Sequence, residues 1–166
     1  MKNEAEFCTC VKNSIVCGFK IPDPTGQWAM TVKRAFDGIG MVQKGDELHF
    51  LCWEAKFLKD MSAFSFKRVE EHQAYYLTQY KKAKSTECYL IVGIDCGRAD
   101  KRAYIFDWNE DFNKLYEAGF SIHKKYLEKL KYNLISKGTF KLENILTIQD
   151  ILDCYGVKTL ECLFQA

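Results

Sequence analysis

Proline is scarce in this chain and charge of one sign does not accumulate in it. Of 166 residues only two are proline, both between positions 22 and 24, and 24 Lys+Arg stand against 22 Asp+Glu. The near balance of charge excludes a histone-like blanket of positive residues, so any contact with nucleic acid has to come from local patches. The two prolines remove amide donors and restrict their predecessors, which makes Lys20 to Gly26 extended or irregular. Long apolar runs are also missing: none approaches the roughly 18 residues needed to cross a bilayer, and Met1 to Glu6 is followed by no signal-peptide core. A cytoplasmic protein with no membrane contact is expected. Cysteine is plentiful, eight in all, yet no CxxC pair occurs. Most thiols lie in apolar segments such as Phe50 to Trp53 and Glu87 to Leu90, and read as reduced and buried. Cys8-x-Cys10 with Cys17 could offer three thiolates to a zinc. Against this, Phe7, Val11, Ile15 and Phe19 recur at helical spacing, which sends Cys8 and Cys10 to different sides of one helix. No repeat, low-complexity tract or linker is found, and 48% hydrophobic with 28% charged residues fits a single domain over residues 1–166.

The periodicity predicts a helix over 4–17, stopped by Gly18. Residues 29–58 alternate as two strands separated by Gln43-Lys44-Gly45-Asp46, the second running from Leu48 to Leu58. An amphipathic helix is predicted over 63–83, with Phe66, Val69, Gln73, Tyr76, Leu77 and Tyr80 on one stripe. Tyr89–Ile94 and Arg102–Trp108 read as strands. Asn109 is a helix N-cap followed by Glu110 and Asp111, with Gly119 after the last turn. A lysine-faced helix is predicted over 124–135, its lysines read as a solvated face. A last helix opens at Thr147, with Asp150 at its third position and Gly156 as its stop. The order predicts one α/β domain with a mixed central sheet flanked by helices.

Chemistry concentrates at Trp53-Glu54-Ala55-Lys56. Positions two apart in a strand share a face, so Glu54 and Lys56 project side by side while Trp53, Ala55 and Phe57 face the other way. A strand interior is a costly place for two charges. A carboxylate that helps hold a divalent cation, beside a lysine that orients water and offsets charge, suits phosphodiester hydrolysis. Asp37, near the start of the preceding strand, is the natural second carboxylate. A structural edge-strand ion pair is the other reading of Glu54 and Lys56. Gln73 falls on an otherwise apolar stripe and needs a partner: a metal-bound water, a phosphate or a backbone carbonyl. His72 beside it faces DNA or solvent. Lys59, Lys67 and Arg68 form a basic group next to these residues.

Asp37, Glu54-Ala55-Lys56 and the stretch from Ser62 to Gln73 together resemble the RecU-type Holliday-junction resolvases of the PD-(D/E)xK nuclease superfamily. The family pattern is a strand ending Glu-Ala-Lys, a loop ending Ser-Phe, and a helix carrying a basic residue, an apolar residue and His-Gln; residues 54–77 follow it nearly position for position. Lys20-Ile21-Pro22-Asp23-Pro24 is similar to the family's Lys-x-Pro-Thr-Pro, and Glu6 is similar in place to its first-helix glutamate. The resemblance implies a restriction-endonuclease-like fold and a metal-dependent endonuclease acting on branched or duplex DNA as a homodimer, of bacterial or phage origin. It further implies Mg²⁺ or Mn²⁺ held by Asp37, Glu54 and the carbonyl of Ala55, with Lys56 serving the water and Gln73 and Glu6 in support. The segment from Pro24 to Asp37 is shorter than the family's junction-entering stalk, and Ala35-Phe36 stand where the family carries Thr-Thr. Two rival readings follow: a DNA-binding module that keeps the fold without cleaving, and a sequence-specific restriction-type nuclease.

Overall fold

In a computed structural model of the chain, residues 1–24 and 33–166 are described. The first helix, α1 (Glu4–Ser14), is capped by the Asn3 side chain, which accepts from the Glu6 amide. It ends three residues earlier than predicted. Ile15 is already extended, and Val16–Lys20 forms an edge strand, β1, that the helical spacing of Phe19 concealed. The strands β2 (Gly38–Lys44) and β3 (Glu47–Leu58) form the predicted antiparallel hairpin about Gly45, whose φ is +58°. The earlier part of that first strand is not confirmed: residues 29–32, like Thr25 and Gly26 of the irregular stretch, lie outside the described residues, and residues 33–37 are not in a strand.

The helix predicted over 63–83 is broken at its front. Phe64–Ser65 is a short strand, β4, and Phe66–Arg68 a single 3-10 turn capped by the Ser65 hydroxyl. The helix proper, α2 (Glu71–Lys81), begins at Glu71 because Glu70 and Gln73 close a reciprocal capping box there. β5 (Thr86–Asp95) and β6 (Lys101–Asp107) follow. α3 (Glu110–Glu117) starts where Asn109 accepts from the amides of Asp111 and Phe112. The predicted 124–135 helix shrinks to one turn, α4 (Lys124–Leu127), after the short strand β7 (Ser121–Ile122). Asn133 explains the loss: its side chain donates to the Ala103 carbonyl and accepts from the amides of Glu143 and Asn144, which ties β8 (Asn133–Leu134) to β6. β9 (Ile145–Leu146) pairs with β6, then α5 (Ile148–Tyr155) opens on the Thr147–Asp150 box and stops at Gly156, and α6 (Leu160–Gln165) ends the chain.

The main sheet runs β1-β2-β3-β5-β6-β8, with β9 beside β6; β3–β5 and β6–β9 are parallel and the other pairs antiparallel. It is therefore an α/β fold with a mixed, mostly antiparallel sheet flanked by helices. Alternation along β3 sends Trp53, Ala55 and Phe57 into the core beneath α1, and Cys52 and Leu58 into the larger core beneath α2, α3, α5 and α6. Gly93 on β5 lets α1 close down, since a Cβ there would stand 2.6 Å from the Phe7 ring. Each fully buried aliphatic or Phe side chain, Leu90 and Phe112 among them, contributes about 1.5–3 kcal/mol. Among the described residues no helix is long and apolar enough to cross a membrane.

Candidate active site

The site forms where β2 leaves the sheet. β3 is twelve residues long, but its pairing with β2 stops at Gly38 opposite Trp53, so among the described residues the segment 54–58 has a strand neighbour, β5, on one edge only. The other edge is sealed by side chains. The Ala55 amide donates to Asp37 Oδ2 at 2.8 Å, the Phe57 amide donates to Glu4 at 3.2 Å, and Arg68 donates to the Phe57 carbonyl at 3.0 Å. Two carboxylates thus accept from the amides of this edge.

Asp37 and Glu54 interlock at this point. While Asp37 accepts from Ala55, its own amide donates to Glu54 Oε2 at 3.1 Å, and Lys56 Nζ donates to Glu54 Oε1 at 2.8 Å. Asp37, Glu54 and Lys56 are 2%, 1% and 7% exposed. The sequence therefore named three residues that the fold brings together, with Glu54 and Lys56 on one face as the alternation required. Asp37 has two further partners. Arg34 Nη2 reaches Oδ1 at 2.6 Å and the Cys8 thiol lies 3.5 Å from Oδ2.

Electrostatics follows from that packing. Burial, and then the charge of Asp37, push the Glu54 carboxyl up to about 8, against the pull of Lys56 and Arg34. Burial acts to lower Lys56, but Glu54 outweighs it and the ammonium titrates above its ordinary value. The Cys8 thiol is driven far upward by burial and by Asp37, which makes it an inert neutral neighbour. Asp37, Glu54 and the Ala55 carbonyl, which lies on the same strand edge as the Ala55 amide, make an all-oxygen set. That is the donor type of Mg²⁺ or Mn²⁺, and a divalent ion would offset the Asp37 charge that helps hold Glu54 up. Among the described residues no group of three His, Cys, Asp or Glu side chains is arranged as cation ligands. The Ala55 carbonyl and water would complete the shell.

The remaining sequence candidates are spread around this centre. Gln73 is buried, and its Oε1 accepts from the Glu70 amide at 2.9 Å, so its partner is a backbone amide of its own helix cap and not the expected carbonyl. It also lines a cleft of about 390 Å³ together with Asp23, Pro24, Lys33, Arg34, Glu70 and His72. His72 Nδ1 lies 3.5 Å from Glu70. Glu6 faces elsewhere: it accepts from the Lys2 amide at 2.8 Å, because its place on α1 turns it toward the N-terminus. Glu4, two residues earlier, is the helix glutamate that reaches β3. Lys59 is exposed just past β3, while Lys67 lies 4.4 Å over the Tyr116 ring and Arg68 is committed to Phe57 and Glu4.

Arg34, Glu4, Cys8 and Asp23, which pairs with Arg34 at 2.8 Å, are the site residues that sequence reasoning missed. Only the i,i+3 spacing of Arg34 to Asp37 could have drawn attention, and outside a helix that spacing carries no meaning. No protein-family model and no curated protein matches this chain.

Proposed function

We propose that this chain is a metal-dependent endodeoxyribonuclease, similar to Holliday-junction resolvases, that hydrolyses phosphodiester bonds in branched or duplex DNA during recombination or replication. In this reading it works as a homodimer on a restriction-endonuclease-like version of its α/β fold. The observation that supports it best is the interlock of Asp37 with the Glu54-Ala55-Lys56 segment at a frayed strand edge. Asp37, Glu54 and the Ala55 carbonyl would hold Mg²⁺ or Mn²⁺. When bound, the ion supplies a Lewis acid for the phosphoryl oxygen and acidifies a water. Lys56, hydrogen-bonded to Glu54, orients the attacking water and offsets the charge that develops on the phosphorane oxygens. Lys59 meets the DNA backbone, and Gln73 and His72 shape the adjoining cleft.

A second reading, a DNA-binding or structural module that keeps the fold without cleaving, draws support from the dryness of the Glu54–Lys56 pair. The test is incubation of the purified protein with Mg²⁺ or Mn²⁺ and labelled linear duplex, nicked, flap and four-way DNA, alongside Lys56→Ala and Asp37→Asn. The nuclease reading expects metal-dependent cutting that both substitutions abolish. Absence of cutting on every substrate, or cutting undiminished in both variants, removes it. Cutting at fixed sites on linear duplex, without preference for branches, selects a restriction-type nuclease instead.

A further inference from the structure

Arg34 sits where a cation is wanted. Of the two Asp37 oxygens, Oδ2 is tied inward to the Ala55 amide and the Cys8 thiol, and Oδ1 is covered by the Arg34 guanidinium at 2.6 Å. Among the described residues the other partners of Arg34 are weak: Asp23 at 2.8 Å is 77% exposed and therefore screened by solvent, and the Ile21 carbonyl is at 3.4 Å. The side chain, 26% exposed, forms one wall of the cleft shared with Lys33, His72 and Gln73. A guanidinium fork matches a phosphate as well as it matches a carboxylate, so a phosphate in this cleft offers Arg34 an equivalent partner.

We propose that Arg34 is the cation Asp37 holds in the absence of a divalent ion, and that a DNA phosphate entering the cleft draws the guanidinium off Asp37, so that DNA and divalent ion bind cooperatively through this side chain. The proposal rests on the nuclease reading, because it takes Asp37 as an ion ligand. Two positive charges cannot share Oδ1 in a part-buried setting without strong mutual repulsion. Coupling between two ligands is reciprocal, so DNA must raise ion affinity by the factor by which the ion raises DNA affinity.

The experiment titrates Mn²⁺ into the full chain and follows the loss of the free-ion EPR signal, with and without a short phosphorothioate duplex. The variants are Arg34→Met, Asp37→Asn and, as a control that removes an equal charge nearby, Lys33→Met, whose partner is Glu70 at 3.0 Å. Thermal melts of each variant confirm folding. Without DNA, Arg34→Met binds Mn²⁺ at least about tenfold more tightly than the parent, and the Lys33→Met affinity stays within about twofold. The duplex tightens Mn²⁺ binding about fivefold or more in the parent and less than about twofold in Arg34→Met. The proposal is overturned, with the ion site intact, if binding depends on Asp37 but Arg34→Met matches either the parent or Lys33→Met, or if the DNA coupling survives in Arg34→Met. If no protein binds Mn²⁺ more tightly than Asp37→Asn does, the ion site itself is absent, and the nuclease reading and this proposal fall together.

Discussion

Two polar clusters sit at opposite ends of β3, and they resolve the problem of buried charge in opposite ways. At the N-terminal end Glu87 is shared: one oxygen faces His49 Nδ1 at 3.0 Å, the other accepts from Lys81 at 2.5 Å, and Lys81 also reaches Asp107 at 3.0 Å. Burial acts to raise Glu87, but Lys81 and His49 outweigh it, and the carboxyl titrates below its ordinary value. Lys81 and Asp107 remain 24% exposed, so water shares the solvation. At the C-terminal end Glu54 is dry, it faces a second carboxylate, and the cations beside it do not bring it back down. The first cluster is a stabilising ion network of the ordinary kind. The second is maintained against an electrostatic cost, and such perturbed groups concentrate where chemistry is done.

The largest effect that separates the clusters is on cleavage. In the nuclease reading Glu54→Gln removes an ion ligand without changing shape, and single-turnover cutting should fall at least about 10²-fold, with DNA binding in the absence of divalent ion retained because the proposed phosphate contacts, Lys59 and Arg34, are separate from Glu54. Glu87→Gln should leave cutting unchanged. Equal losses in both variants would show that the clusters do not differ in function.

The next effect is on stability against pH. The raised Glu54 keeps its proton in the folded state when the unfolded chain has lost it, so the folded state binds more protons between 4.5 and about 8. Stability from this group is fully present below about 4.5 and is lost as pH rises through about 8. Urea unfolding across that range should show Glu54→Gln with a flatter decline than the parent. An unchanged slope would mean that Glu54 is ionised throughout. Glu87 is depressed and acts in the other direction: its stabilisation is present above the ordinary glutamate range and is lost as pH falls through its lowered value. Removing it with Glu87→Gln should cost about 1–3 kcal/mol near neutrality.

How much of this was legible in the sequence depends on the distance over which each signal acts. Caps are local, and Asn109, the Thr147–Asp150 box and Gly156 placed their helix ends correctly. The β3 alternation is also local, and it put Glu54 and Lys56 on one face with Trp53, Ala55 and Phe57 opposite. The early end of α1 was not legible, because Val11, Ile15 and Phe19 fit helical spacing although Phe19 lies on an exposed edge strand. Neither was the collapse of the 124–135 helix, which depends on Asn133 finding loop amides ten and eleven residues away. At the site, the convergence of Asp37 with β3 followed from hairpin geometry. Glu4 and Cys8 come from α1, and only the packing of that helix over β3 could place them.

The smallest predicted effect tests the frayed edge on which the C-terminal cluster depends. Among the described residues the Phe57 amide has no strand partner on the β2 side, and the Glu4 carboxylate is its acceptor at 3.2 Å. Glu4→Ala leaves that buried amide without it, so the urea midpoint should fall by an amount corresponding to about 1 kcal/mol. Glu6→Ala, two positions from Glu4 in the first turn and bonded among the described residues near the N-terminus, should cost within about 0.5 kcal/mol. Both side chains are nearly half exposed, so helix propensity and screening are closely matched, and the difference isolates the strand-edge bond. If the two substitutions cost the same, the edge of β3 is not held by Glu4, and the comparison between a sealed site and an ordinary ion network loses its structural basis at this point.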